Sequence, residues 1–310
     1  MQKSFLRQNV LPVLAAVIWG TAFVAQSVCA PYVPPFAFNA IRALIAFVLL
    51  IFVSIAFDKA AARKGTPPAP TDWKKLLLGG VCTGAFLAIA SNLQQAGLAD
   101  TSAGKAGFIT ALYVVLVPVL GIFLKRRASG QTWISVVIAV GGLYLLCIRA
   151  GEGFHLQTSD VYILLCAFFF ACQIMSIDHF GADVDGIKLS CVQFLVAGVI
   201  SAVLSLIFET LDWSAVMEHI WPILYVAVFS SCVAYTFQIL AQQGSDPTVV
   251  TLLLSLESVF SVIAGALILR DRLSGREYLG CVLMFAAVVL AQVPLKKRKV
   301  PLKKRKDGLQ

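Results

Sequence analysis

Charge is what this sequence is shortest of. Only 13% of its 310 residues are Asp, Glu, Lys or Arg, against 59% hydrophobic, and the mean hydropathy is +0.86. Soluble domains carry about 25% charged residues, so a soluble globule is excluded and an integral membrane protein is indicated. Histidine is scarce too. His155, His179 and His219 each lie near the end of an apolar run and apart from other ligand types, which argues against a metal site. The eight cysteines are scattered singly with no CxxC pair, so they read as small buried residues, not as a disulfide framework or a zinc site. Also missing are a Walker phosphate loop, HExxH, GxSxG and any pair of intramembrane acids able to hold Mg²⁺. No enzyme activity, metal or cofactor is expected.

What the chain has instead is a series of apolar runs, each long enough to cross about 30 Å of hydrocarbon as a helix. They fall at 9–28, 36–57, 74–97, 102–124, 131–149, 160–180, 187–208, 219–243, 247–269 and 276–294. The breaks are rich in turn residues, such as PYVPP at 31–35, KGTPPAP at 64–70 and GADVDG at 181–186. The expected fold is an all-α integral membrane protein of ten transmembrane helices.

The net charge of +9 is concentrated in the tail at 295–310, directly after an apolar run, where anionic lipid is the expected partner and nucleic acid is not. With the N-terminus placed in the cytoplasm, nineteen Lys and Arg fall on that side and four (Arg149, Arg270, Arg272 and Arg276) on the other. This is the positive-inside pattern for a multi-pass protein of the plasma membrane with both termini cytoplasmic. Trp73, Trp133, Trp213 and Trp221 sit at run edges as interfacial anchors; Trp19 alone is mid-run.

One acidic residue breaks the pattern. Glu257 sits near the middle of the ninth run, where a carboxylate costs about 2.5–3.5 kcal/mol on insertion scales. Thr248, Thr251, Ser255, Ser258, Ser261 and Gly265 recur at helical spacing and give this run a small, polar stripe that faces protein or water. Glu257 borders that stripe, as a packing element held by neighbouring donors or as a carboxylate that holds a proton or a cationic substrate alternately. Arg42 and Lys105 lie within two turns of the outer ends of their runs, and snorkelling to the headgroups competes there with binding a substrate carboxylate.

The two halves resemble each other. At an offset of 145 residues, 101–127 lies over 246–272 and 129–146 over 274–291. Five spans per copy is an odd number, so the second copy (158–294) crosses the membrane in the opposite sense to the first (9–149), an inverted repeat of the kind secondary transporters use.

Four stretches carry a resemblance that covers nearly the whole chain: VIWGTAF at 17–23, FNAIRALIAF at 38–47, LQQAGLADTSAGKAGFITALYVVLVPVLG at 93–121 and AQQGSDPTVVTLLLSLESVFSVIAGALILRDRLS at 241–274. The chain resembles the drug/metabolite transporter superfamily, specifically its ten-helix family with two EamA-type domains. The resemblance implies a secondary transporter moving a small polar or cationic metabolite, such as an amino acid, amine or drug-like cation, by alternating access. Protons are a coupling ion consistent with it, and the chain would act as a monomer or homodimer. It further implies a cavity between the first, third and fourth helices and the sixth, eighth and ninth, which brings together Trp19, Gln94, Tyr113, Gln173, Tyr235, Gln238 and Glu257. The eighth run supports this with Ser231, Tyr235, Gln238 and Gln242 on one helical face. Where the family often has Glu-Pro this chain has Glu257-Ser258, so a kink is expected only in the fourth helix, at Pro118. A lipid or lipid-carrier flippase and a non-transporting membrane sensor are the competing functions.

Overall fold

A computed structural model describes residues 6–63, 72–101, 103–124, 128–147, 157–269 and 274–292, and among them there are only helices and their connections. The basic tail at 295–310, Lys125 to Arg127, Arg149, His155, Arg270, Arg272 and the side chain of Lys105 lie outside the described residues.

In chain order the α-helices are α1 (Leu11–Cys29), α2 (Pro35–Arg63), α3 (Trp73–Gly97), α4 (Ala103–Ala111), α5 (Tyr113–Phe123), α6 (Gly130–Cys147) and α7 (Thr158–Phe180). There follow α8 (Gly186–Phe208), α9 (Trp213–Glu218), α10 (Ile220–Tyr225), α11 (Tyr235–Gln242), α12 (Pro247–Leu254), α13 (Glu257–Leu269) and α14 (Gly275–Gln292). Carboxylates start several of them: Asp72, Asp185, Asp212 and Asp246 each accept hydrogen bonds from backbone N–H groups of the first turn that have no partner within the helix.

Eight helical stretches among the described residues are long and apolar enough to cross a membrane; Gly130–Leu145 is apolar but shorter. The surface reverses the polarity of a soluble protein. Phe52, Val137, Leu206 and Val289 are more than half exposed, while Gln173, Gln193, Ser231 and Thr251 are fully buried. Such an apolar exterior is stable only against lipid, and the helices satisfy their own backbone groups there.

The bundle is built from helix pairs distant in sequence. Helix α3 packs on α7 and α8, α2 on α8, α1 on α13, and α6 on α14. Glycines permit the closest of these approaches. A Cβ at Gly20 would meet Phe260 Cβ at 2.5 Å, Ser261 N at 2.7 Å and the Glu257 carbonyl at 2.8 Å, so α1 and α13 touch backbone to backbone there. At one end of the bundle Lys75 pairs with Asp183 and Lys188 with Asp58, at 3.1 and 3.0 Å. At the other, the Glu209 carboxylate accepts from the N–H groups of Phe36 and Ala37 and ties the start of α2 to the end of α8.

Two apolar crossings are interrupted midway. In one, α4 ends at Ala111 and α5 begins at Tyr113; in the other, α12 ends at Leu254 and α13 begins at Glu257. The expectation of a kink in the fourth span alone is therefore corrected. The ninth span breaks without a proline, because the Ser255 hydroxyl donates to the Leu252 carbonyl and tight three-residue backbone bonds (Leu256 to Leu253, Ser258 to Ser255) replace the α pattern. In the fourth span the break lies at Leu112, upstream of Pro118, which is itself inside α5. The carbonyl that Pro118 leaves without its helical donor is that of Val114, inside α5, so the proline does not make this break; there the backbone tightens to three-residue bonds, Leu112 to Ile109 and Val115 to Leu112. The eighth span is irregular as well, with residues Val226–Ala234 wound as a π-helix.

Candidate functional site

The interrupted spans face a cavity within the bundle. Its walls come from α1 (Trp19, Phe23, Gln26), α2 (Arg42), α3 (Gln94), the α4–α5 pair (Thr110, Tyr113) and α7 (Phe170, Ile174). The eighth span adds Ser230, Tyr235 and Gln238, and the ninth adds Leu254 and Glu257. Among the described residues, none from α6 or α14 lines it.

Glu257 is 4% exposed and opens α13, so its carboxylate lies at the end of a helix whose N–H groups carry partial positive charge. Its partner is the Tyr113 hydroxyl, which donates to Oε1 at 3.0 Å. Each of these two residues stands at the first helical position after its break, so both interruptions converge on one hydrogen bond. Among the described residues no Lys, Arg or His lies within ion-pair distance of Glu257.

Arg42 overturns the expectation that it snorkels to the surface. It is 4% exposed, about 10 Å along the helix axis from the start of α2, and it lines the cavity. Its Nε donates to Asn39 Oδ1 at 2.6 Å, its Nη1 donates to Ser231 Oγ at 3.2 Å, and the Tyr235 hydroxyl is also within its reach. Asn39 is itself held in place by donating to the Ser91 carbonyl and to Asn92 Oδ1, while Asn92 donates to Ser201 Oγ. Among the described residues no carboxylate lies within ion-pair distance of Arg42.

Aromatic rings shape the space between. Trp19 and Tyr235 have centroids 4.8 Å apart, and Phe194 meets Tyr235 edge-on at 5.4 Å. Two polar atoms of the wall are buried without a hydrogen-bond partner: Trp19 Nε1, a donor, and Gln238 Oε1, an acceptor.

Six of the seven residues picked out from the sequence thus line one cavity, and the seventh does not reach it. Gln173 is fully buried behind Gln238, accepting from its Nε2 at 3.3 Å and donating to Gln193 Oε1 at 3.3 Å. The single face assigned to the eighth run is also corrected. The wider π turns shift the register before Tyr235, so Ser230 lines the cavity and Ser231 accepts from Arg42; Gln242, on the regular helix α11 with Tyr235, donates instead to the Ile174 carbonyl. Arg42 lies about two turns from the start of α2, as its place in the run gives; the signal for its burial is Asn39, an acceptor three residues earlier on the same helical face.

The arrangement is a buried polar chamber at a pair of broken helices, which is how transporters build solute sites at mid-membrane. Comparisons with known proteins show the class of protein. A transporter of Archaeoglobus fulgidus, named only as uncharacterized, is 28% identical over 286 residues, covering 90% of this chain and 84% of its own. A probable amino-acid metabolite efflux pump of Escherichia coli is 26% identical, covering 94% and 97%. One solved structure, 18% identical and titled simply as the crystal structure of a protein, superposes with a TM-score of 0.74 over 92% of this chain and 96% of its own, and shows the fold. The EamA-like transporter family matches residues 7–148 and again 157–292, nearly the whole chain, so this multi-pass membrane protein belongs to the EamA-like transporter family.

Proposed function

We propose that this protein is a secondary active transporter that moves a small polar or charged metabolite across the plasma membrane by alternating access, with the central cavity as its substrate site. The observation that carries this reading is the meeting of two interrupted spans, through Tyr113 and Glu257, inside a chamber lined by charged, amide and aromatic side chains. In this reading the chain crosses the membrane ten times as two five-helix copies of opposite sense, with both termini cytoplasmic. The matching breaks near Leu112 and Ser255 are then the hinges about which each copy opens. Glu257 exchanges a proton for the cationic group of the substrate, so transport is coupled to protons. A lipid flippase would need an apolar lateral slot; the buried Arg42, Gln94, Gln238 and Glu257 favour a water-soluble solute instead.

The test is counterflow in proteoliposomes of purified protein against a panel of labelled amino acids, amines and cationic drugs, at several imposed pH gradients. Saturable counterflow of a soluble compound that responds to the pH gradient is the expected result. Scrambling of labelled phospholipid without solute counterflow would replace this reading with the flippase.

A further inference from the structure

We infer that Arg42 is the binding site of a small monovalent inorganic anion, of which chloride is the type, and that this anion enters the cavity together with the cation that Glu257 takes up. The inference deepens the transport reading, on which its count of charges rests, and adds a co-ion to it.

Among the described lining residues Arg42 is the one base and Glu257 the one acid, and both are nine-tenths or more buried. These two, with whatever is bound, set the charge of the chamber. With Glu257 ionised and no solute present they cancel. When Glu257 holds a proton, or pairs with a cationic group, the sum is one positive charge, and it belongs to Arg42. Both loaded states of the exchange therefore leave a guanidinium without a counter-charge in the apolar interior, where an unpaired charge is costly. An anion that arrives with the load removes that charge.

The surroundings of the guanidinium suit such a ligand. Of its five N–H donors Asn39 Oδ1 takes one and Ser231 Oγ another, both neutral acceptors, and Asn39 is fixed in turn by Ser91 and Asn92. The fork is thus held in place with donors to spare. The Tyr235 hydroxyl lies within reach of the same guanidinium, and a hydroxyl that accepts from Arg42 keeps its own O–H for a ligand. Trp19 Nε1 adds a buried donor without an acceptor in the same wall. One guanidinium balances one negative charge, so a divalent ion such as sulfate would bring a charge too many. The aromatic rings of Trp19, Phe23 and Tyr235 favour an ion that gives up its water easily.

The experiment follows the melting temperature of the purified full chain in detergent as sodium chloride, sodium bromide or sodium sulfate replaces sodium gluconate at constant ionic strength. Chloride and bromide give a saturable rise, as a bound ligand does, and sulfate gives none. Arg42→Gln abolishes the rise and Arg42→Lys keeps part of it. In alkaline buffer, where the wild-type carboxylate is ionised, Glu257→Gln binds chloride about tenfold tighter than wild type, because a like charge has gone from the same chamber. The other titratable groups of the lining, Tyr113 and Tyr235, are common to both proteins. Isothermal titration with phenethylamine reads the coupling: the Kd is about tenfold lower in chloride than in gluconate for wild type and equal in the two salts for Arg42→Gln. Should Arg42→Gln fail to fold, Arg42→Lys and the wild-type salt and amine series carry the test. A rise that does not saturate, that sulfate matches, or that persists in Arg42→Gln overturns the inference. Solute counterflow at equal rates in chloride and gluconate sinks the co-ion and leaves the transport reading intact. Saturable chloride binding that needs Arg42, with no counterflow of any solute, keeps the anion site and removes the transport reading.

Discussion

The two charged walls of the cavity are held in opposite ways. Arg42 stands in a relay of fixed polar groups: Asn39 and Ser231 accept from it, and Asn39 is anchored in turn to Ser91 and Asn92 on α3. Glu257 has a single hydroxyl, from Tyr113, and sits at a helix break. A group tied by several hydrogen bonds keeps its geometry through a conformational change, whereas a group with one weak partner can trade it. On the proposed reading the cation is the fixed reference of the site, and the carboxylate is the member that exchanges proton and substrate.

The sharpest way to break this contrast is Glu257→Gln. The amide keeps the shape and can still accept from Tyr113, but it cannot ionise. A hydrogen bond to a charged group is worth about 1.5–3 kcal/mol, so affinity for an ammonium-bearing substrate should fall roughly 10- to 100-fold. In wild type, amine binding weakens on acidification as Glu257 takes up a proton; in the variant the pH profile should be flat. Isothermal titration across pH checks both, and wild-type affinity with an unchanged profile would show that the carboxylate serves only packing.

Asn39→Ala should come next. It leaves the Arg42 Nε–H and Asn92 Oδ1 without their partner, at a cost of about 1–3 kcal/mol, seen as a lowered melting temperature in detergent. The readout specific to the fixed cation is a rise in the Kd of chloride with that of an amine, measured in gluconate, unchanged. If both constants move together, Asn39 supports the fold and not the guanidinium.

Tyr113→Phe should have the smallest effect. It takes one hydroxyl from Glu257 and leaves the ring in the wall, so a loss of about 1 kcal/mol, or roughly fivefold in ammonium affinity, is expected. A loss as large as that of Glu257→Gln would mean that the carboxylate is as firmly held as Arg42 and would erase the contrast.

Much of this site was legible in advance because lipid makes polarity informative. In the ninth span a lone carboxylate could be singled out by its cost, and Trp19, Tyr235 and Gln238 by their mid-span depth. Elsewhere, contacts between helices and one irregular winding decided the placement. Arg42 stands within about two turns of the start of α2, as counted, but Asn39 on its own helix and Ser231 on a distant span accept from its guanidinium and keep it inside. A fixed helical period places Ser231 on the face of Tyr235, but the π-helical stretch before Tyr235 shifts it, and Gln242, on the same regular helix as Tyr235, is drawn to the Ile174 carbonyl. Gln173 has the right depth and the wrong bearing, which no spacing within its own helix discloses.

What the sequence determined by itself is the class of object: an all-helical chain with an apolar exterior, an internally repeated pattern and one carboxylate too expensive to be incidental. Hydrophobicity, periodicity and turn chemistry are local properties, and in a membrane they act without competition from water. Tertiary structure alone decided which polar groups share a space. Ser231 and Arg42 are 189 positions apart, as Tyr113 and Glu257 are 144 apart, and both contacts depend on where helices break and cross. Such contacts arise from close packing, through a glycine at Gly20, a serine at Ser255 and a π turn in the eighth span, and packing is not a property of any one segment.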